Sequence, residues 1–168
     1  MIEFVEKPDT DEHRLINAGV YAFEPSVFDA IARTEYRAGE LRMSDVIGTL
    51  MDDGRVKAVQ TDGLWVDATY PWDLLYLMRE LLGRGRISQN ERASGVWVAE
   101  SARVHPRATL QPPVVVGPDS EIAAGAVLGP NVAVGRNATI GANTTLRDVL
   151  LDGDCRIGAG ATLLDCVA

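Results

Sequence analysis

The chain has 168 residues, 46% of them hydrophobic, and a formal net charge of −8. That apolar content suffices for one or two packed domains, and the acidic balance argues against nucleic acid or an anionic membrane as partner. It contains no apolar run of the roughly 18 residues that a membrane helix needs. Residues 1–14 carry charges of both signs without the apolar stretch of a signal peptide, which points to the cytoplasm.

Residues 1–7 (MIEFVEK) read as the end of a strand that Pro8 stops, and 9–14 as a charged turn. Residues 15–23 (LINAGVYAF) form the next strand candidate, with Gly19 where something must approach the backbone closely. Pro25 then opens a helix with Val27, Phe28 and Ile31 on one face. A loop over 34–39 ends in Gly39. Ser44 reads as the cap of a second helix, SDVIGTLMDDG, stopped by Gly54. Residues 55–60 and 63–68 read as two strands. Pro71 opens the strongest helix, PWDLLYLMRELLG, ended by Gly83. We therefore expect an α/β domain over 1–83, a linker over 84–95 and a different architecture over 96–168.

That architecture is written in a six-residue period. Aliphatic residues recur at Val98, Val104, Leu110, Val116, Ile122, Leu128, Val134, Ile140 and Leu146. A step of five leads to Leu151, and the period resumes at Ile157 and Leu163. Three places after the aliphatic stand Asp119, Gly125, Asn131, Asn137, Asn143 and Gly160, residue types that tolerate positive φ, so a turn belongs there. One place further on stand small or β-branched residues. A short strand plus a corner cannot bury its one aliphatic side chain alone. Stacked coils can, and the pattern predicts a solenoid with a continuous apolar column. It resembles the hexapeptide repeat of left-handed parallel β-helices. The left-handed sense is an implication of that resemblance, since strand crossovers are ordinarily right-handed.

Cys155 and Cys166 form no CxxC or Cys/His cluster and read as small buried thiols of a cytosolic protein. Trp65, Trp72 and Trp97 read as core or hinge packing. The chain opens inside a strand and closes one repeat after Ile157 without a polar cap, so we expect it to be a piece of a longer protein.

Four short constellations lie in the first half: Glu6-Lys7-Pro8, Asn17-Ala18-Gly19-Val20-Tyr21, Gly39-Glu40 followed by Ser44-Asp45, and Trp65-Val66-Asp67. In this order, and followed by hexads, they resemble the C-terminal half of a sugar-1-phosphate nucleotidyltransferase domain, of the glucose-1-phosphate thymidylyltransferase-like group. In that chemistry a sugar-1-phosphate oxygen attacks the α-phosphorus of a nucleoside triphosphate and pyrophosphate leaves. Two anions must meet, so cationic screening and positioning matter more than acid–base work. The resemblance assigns the sugar phosphate to Lys7, the sugar to Glu6, Asn17, Gly19 and Glu40, and Mg²⁺ to Asp67, a hard donor for a hard cation. It also implies assembly through the β-helix, most simply as a homotrimer.

The sequence departs from the family pattern twice: Thr69 stands where Gly is usual, close to Asp67, and Arg42 stands where Glu is usual, beside Glu40. No Gly-rich nucleotide loop with its Arg and Lys occurs, so the catalytic set is incomplete and we expect the chain alone not to bind the triphosphate or turn over. Two other classes compete. A hexapeptide acyltransferase would use His105 as a general base, although that histidine reads better as a corner residue because no loop interrupts the hexads. A non-catalytic scaffold relative would retain the fold without the chemistry, and Thr69 and Arg42 are its support.

Overall fold

The computed structural model describes residues 15–37 and 39–168. They fall into two compact units, one ending at Trp65 and one running from Val66 to Ala168.

Among its described residues the first unit holds two helices, α1 (Val27–Arg33) and α2 (Met43–Asp52). They pack through Val27 and Ala30 against Val46 and Leu50, with Ile31, Leu41 and Val56 at the margin. The Thr34 and Thr49 hydroxyls meet at 3.0 Å between them. Arg33 hydrogen-bonds Asp53 at 2.7 Å and thereby holds that carboxyl below its usual range. Several expectations are corrected here. Phe28 is exposed rather than packed, because the buried stripe runs through Val27, Ala30 and Ile31. Arg42, not Ser44, stands at the cap of α2, and no side chain caps that end. Residues 15–23, 55–60 and 63–68 form no strand; among the described residues of this unit the only β pairing is the bridge between Arg37 and Glu40. A strand exists only with a partner to complete its ladder, and alternation alone supplies none. The expected strand over 1–7 and the turn over 9–14 lie outside the described residues.

In the second unit the strands are β1 (Glu91–Ala93), β2 (Val96–Val98), β3 (Arg103–Val104), β4 (Thr109–Leu110), β5 (Val114–Val116), β6 (Glu121–Ile122), β7 (Val127–Leu128) and β8 (Val132–Val134). They continue with β9 (Thr139–Ile140), β10 (Thr145–Leu151), β11 (Arg156–Ile157) and β12 (Thr162–Val167). Apart from the antiparallel β1–β2 pair, the ladders are parallel. Thr109 pairs Val127 and Val127 pairs Thr145, one coil every 18 residues. The result is a parallel β-solenoid of about four turns, consistent with a left-handed β-helix.

All twelve periodic aliphatics join its core: eight are buried, and Val104, Leu110, Ile157 and Leu163 pack against them. The expected turn residues do adopt positive φ, from 51° at Asn137 to 73° at Gly125. The five-residue step shortens the coil to 17, since Val132 pairs Val149 and Thr139 pairs Arg156. Two hydroxyls point into the corners and are satisfied there. Ser120 donates to the Gly135 carbonyl at 2.7 Å, and Thr144 to the Gly158 carbonyl at 3.0 Å. Stacking also explains glycine after the aliphatic: a Cβ at Gly117 would lie 2.7 Å from the Gly135 carbonyl carbon one coil away.

The third helix, α3 (Pro71–Gly83), has the bounds the sequence predicts. It packs on the solenoid. Its stripe Leu75, Met78 and Leu82 covers Trp97, Val115, Ala133, Leu150 and Val167. Those five stand in register, one per coil, on the outer face of the sheet. The segment expected as a linker supplies β1, so residues 84–95 carry pairing and contacts of their own.

Candidate functional site

The candidate residues fall in separate places, and each is described within its own unit. Asn17 and Gly19 sit on irregular backbone with a bend at Gly19. The Gly19 N–H donates to Asn17 Oδ1 at 3.0 Å, and Gly19 adopts φ +72°, so the asparagine closes a small turn on its own chain. Asn17 Nδ2 donates to the Tyr21 hydroxyl, and the Tyr21 and Phe23 rings stack 5.6 Å apart. Trp65 Nε1 donates to the Ala18 carbonyl at 3.2 Å, which ties the fourth constellation to the second. Trp65 is 44% exposed, so a hydrogen bond rather than burial anchors it.

Glu40 is placed by a tight turn. Arg37 and Glu40 exchange backbone hydrogen bonds of 2.9 and 3.0 Å across Gly39, whose φ is +83°. Its side chain stays exposed, with Arg42 Nε at 3.8 Å, too far and too wet to hold it strongly. Glu40 thus remains open to a hydroxyl-rich ligand. Asp45, in the first turn of α2, meets Arg37 at 3.5 Å, while its Oδ2 has no hydrogen-bond partner among the described residues.

Asp67 belongs to the unit that contains the solenoid. Thr69, the residue that departs from the family pattern, donates its hydroxyl to Asp67 Oδ1 at 3.2 Å, so it orients the carboxylate. The Thr69 and Tyr70 N–H groups both donate to Asp73 Oδ2, at 3.1 and 2.8 Å, which fixes the turn to the start of α3. Asp67 is exposed and forms no ion pair among the described residues. No group of three or more acidic, His or Cys side chains converges on a metal-sized space among the described residues. One open carboxylate suits Mg²⁺, which keeps several waters and takes phosphate oxygens as its remaining ligands. Glu6 and Lys7 lie outside the described residues.

His105 occupies a corner of the solenoid beside an open groove of about 550 Å³ that Arg92, Arg103 and Glu121 also line. Its Nδ1 accepts the Arg107 N–H at 3.0 Å. In the neutral ring that leaves the proton on Nε2, the wrong arrangement for a general base. Trp72 is not core: it is 64% exposed and stacks on Tyr70, whereas Trp97 is buried under α3.

Sequence reasoning missed the cluster where α3 meets a solenoid corner. Arg79 Nε donates to Asp148 Oδ1 at 2.9 Å, and its terminal amino group to Asp165 Oδ1 at 2.8 Å. Asn131 Nδ2 also donates to Asp148, at 2.9 Å. The five-residue step was the available signal, because it sets Asp148 at the turn with φ 53°.

The fold is that of an α/β part followed by a repeat domain, a parallel β-solenoid. Residues 1–82 match the family model for nucleotidyl transferases. The chain is 32% identical over 111 residues to the bifunctional protein GlmU of Methanocaldococcus jannaschii, covering 62% of this chain and 27% of that one. It is 29% identical over 126 residues to a bifunctional sugar-1-phosphate nucleotidylyltransferase/acetyltransferase of Sulfurisphaera tokodaii, covering 73% and 28%. With the low-salt glycan biosynthesis nucleotidyltransferase Agl11 of Haloferax volcanii it shares 35% identity over 109 residues, covering 60% and 30%. The matched stretch is thus less than a third of each relative's length. Residues 1–82 belong to the nucleotidyl transferase family, and a hexapeptide-repeat β-solenoid follows them.

Proposed function

We propose that this chain supplies the sugar-phosphate side, and one metal-binding carboxylate, of a sugar-1-phosphate nucleotidyltransferase. The observation that carries this is the family match over residues 1–82, followed by a solenoid, in a chain two of whose relatives bear nucleotidyltransferase names. In the reaction a phosphate oxygen of the sugar-1-phosphate forms a bond to the α-phosphorus of a nucleoside triphosphate. The bond from that phosphorus to the β-phosphate bridge breaks, and pyrophosphate carries the electron pair away. The Lys7 ammonium holds the attacking phosphate by charge-assisted hydrogen bonds. Glu6, Glu40 and Asn17 fix the sugar hydroxyls, and Gly19 lets the sugar approach the backbone. Asp67, whose Oδ1 accepts the Thr69 hydroxyl, would hold Mg²⁺. Bound Mg²⁺ would supply charge screening between the two phosphates. The solenoid assembles copies of the chain, as a homotrimer. His105 is left as a corner residue, because its Nδ1 is already engaged.

Isothermal titration of the chain with hexose 1-phosphates in Mg²⁺ tests this. Saturable heats are expected, weakened about tenfold or more by Lys7→Ala, the worth of a charge-assisted phosphate contact. Flat heats across glucose, galactose and N-acetylglucosamine 1-phosphates would contradict it.

A further inference from the structure

The solenoid does more for this chain than assemble copies of it. Asp67 lies in the same compact unit as the solenoid. A short series of contacts links them. Asp67 is bonded to Thr69, and Thr69 and Tyr70 are bonded through their N–H groups to Asp73 in the first turn of α3. The helix then lies along five apolar side chains that stand one per coil: Trp97, Val115, Ala133, Leu150 and Val167. Leu75, Met78 and Leu82 form one apolar cluster with them, and that contact holds α3 down on the coils.

A polar contact pins it further. Arg79 reaches past the apolar stripe to the corner where Asn131, Asp148 and Asp165 stack in successive coils. Its planar fork bonds Asp148 through Nε and Asp165 through the terminal amino group, so it spans two coils at once. Asp148 is also the better buried of the two carboxylates, with 17% of its side chain exposed. A geometry that demands two carboxylates at a fixed spacing is met at one axial position of the helix.

We propose that α3 is a strut through which the solenoid positions Asp67, and that Arg79 is the positioning residue that sets its register. This rests on the reading of Asp67 as a metal carboxylate, and it makes the repeat domain part of the catalytic apparatus. Loosening Arg79 lets the helix and the 67–70 turn shift while the coils beneath stay folded.

Hydrogen exchange by mass spectrometry on the full chain, beside Mn²⁺ titration by water-proton relaxation, tests both parts. Arg79→Ala is expected to speed exchange about tenfold across residues 66–83 and to leave the 96–168 core unchanged. It is expected to weaken Mn²⁺ binding about tenfold, as loss of an outer support does. Arg79→Lys, which keeps the charge and loses the fork, should fall between wild type and Arg79→Ala in both measurements. Asp67→Asn should abolish the Mn²⁺ effect without altering exchange in the helix. Unchanged exchange in Arg79→Ala overturns the strut whatever the metal does. Mn²⁺ binding that Asp67→Asn abolishes and Arg79→Ala leaves intact overturns the positioning role. Should wild type and Asp67→Asn behave alike towards Mn²⁺, the metal role of Asp67 fails, and exchange alone decides whether the strut stands.

Discussion

Leu128, Ile140 and Leu146 are fully buried in the solenoid, each touching the coil above and the coil below. A side chain so placed is supported from two directions, and neither neighbour can collapse into the space it leaves without breaking a parallel ladder. Leu128→Ala is accordingly expected to cost about 2–5 kcal/mol, read as a lower denaturant midpoint at unchanged slope. A loss below the lower bound would mean that the column is not a shared interior. At this scale the sequence was most informative. Asp119, Asn131, Asn137 and Asn143 could be assigned to left-handed turns because few other L-residues tolerate that backbone, and they adopt it. Phe28 and Ser44 misled, because residue type states a preference for burial or capping while neighbouring elements decide which preference is used.

Elements were legible in proportion to how local their causes are. α3 follows its prediction from Pro71 to Gly83, since proline at the start, an apolar stripe and glycine at the end are all local signals. Strands over 15–23, 55–60 and 63–68 did not follow, since pairing is a property of two segments and the sequence displays only one at a time. The outer apolar ladder was invisible for a related reason: Trp97, Val115, Ala133, Leu150 and Val167 become neighbours only after the coil length is known. The corner they lead to can be tested at Asp148, which accepts from Asn131 and Arg79 and adopts φ 53°. Asp148→Ala removes both acceptor contacts and strains the turn, and is expected to cost about 1–3 kcal/mol. Asp148→Asn keeps the turn and one carbonyl acceptor and should recover part of that. The thermal midpoints of the two variants check the order. Equal midpoints would mean that neither the acceptor nor the turn preference of residue 148 contributes.

At the scale of the whole molecule, the compact units divide at Trp65, and α3 packs on the solenoid. The family match, by contrast, runs to residue 82 and takes in α3. The same helix is thus part of the family match and is packed on the solenoid. The candidate site was legible as a set of residue types at family spacing, and less so as geometry. Asn17, Gly19 and Trp65 come together locally, and Asp67 is oriented by the very threonine that departs from the pattern. The proposed trimer also belongs to this scale. Sedimentation at micromolar concentration should give the mass of three chains, and a monomer would count against the solenoid as an assembly domain.

The measurement that bears most directly on the central claim is a crystal structure of the chain grown with a hexose 1-phosphate and Mg²⁺. The account predicts a phosphate within hydrogen-bond distance of Lys7 Nζ, with sugar hydroxyls on Glu6 or Glu40. A phosphate bound elsewhere, or a ligand seated instead in the groove beside His105, would contradict it.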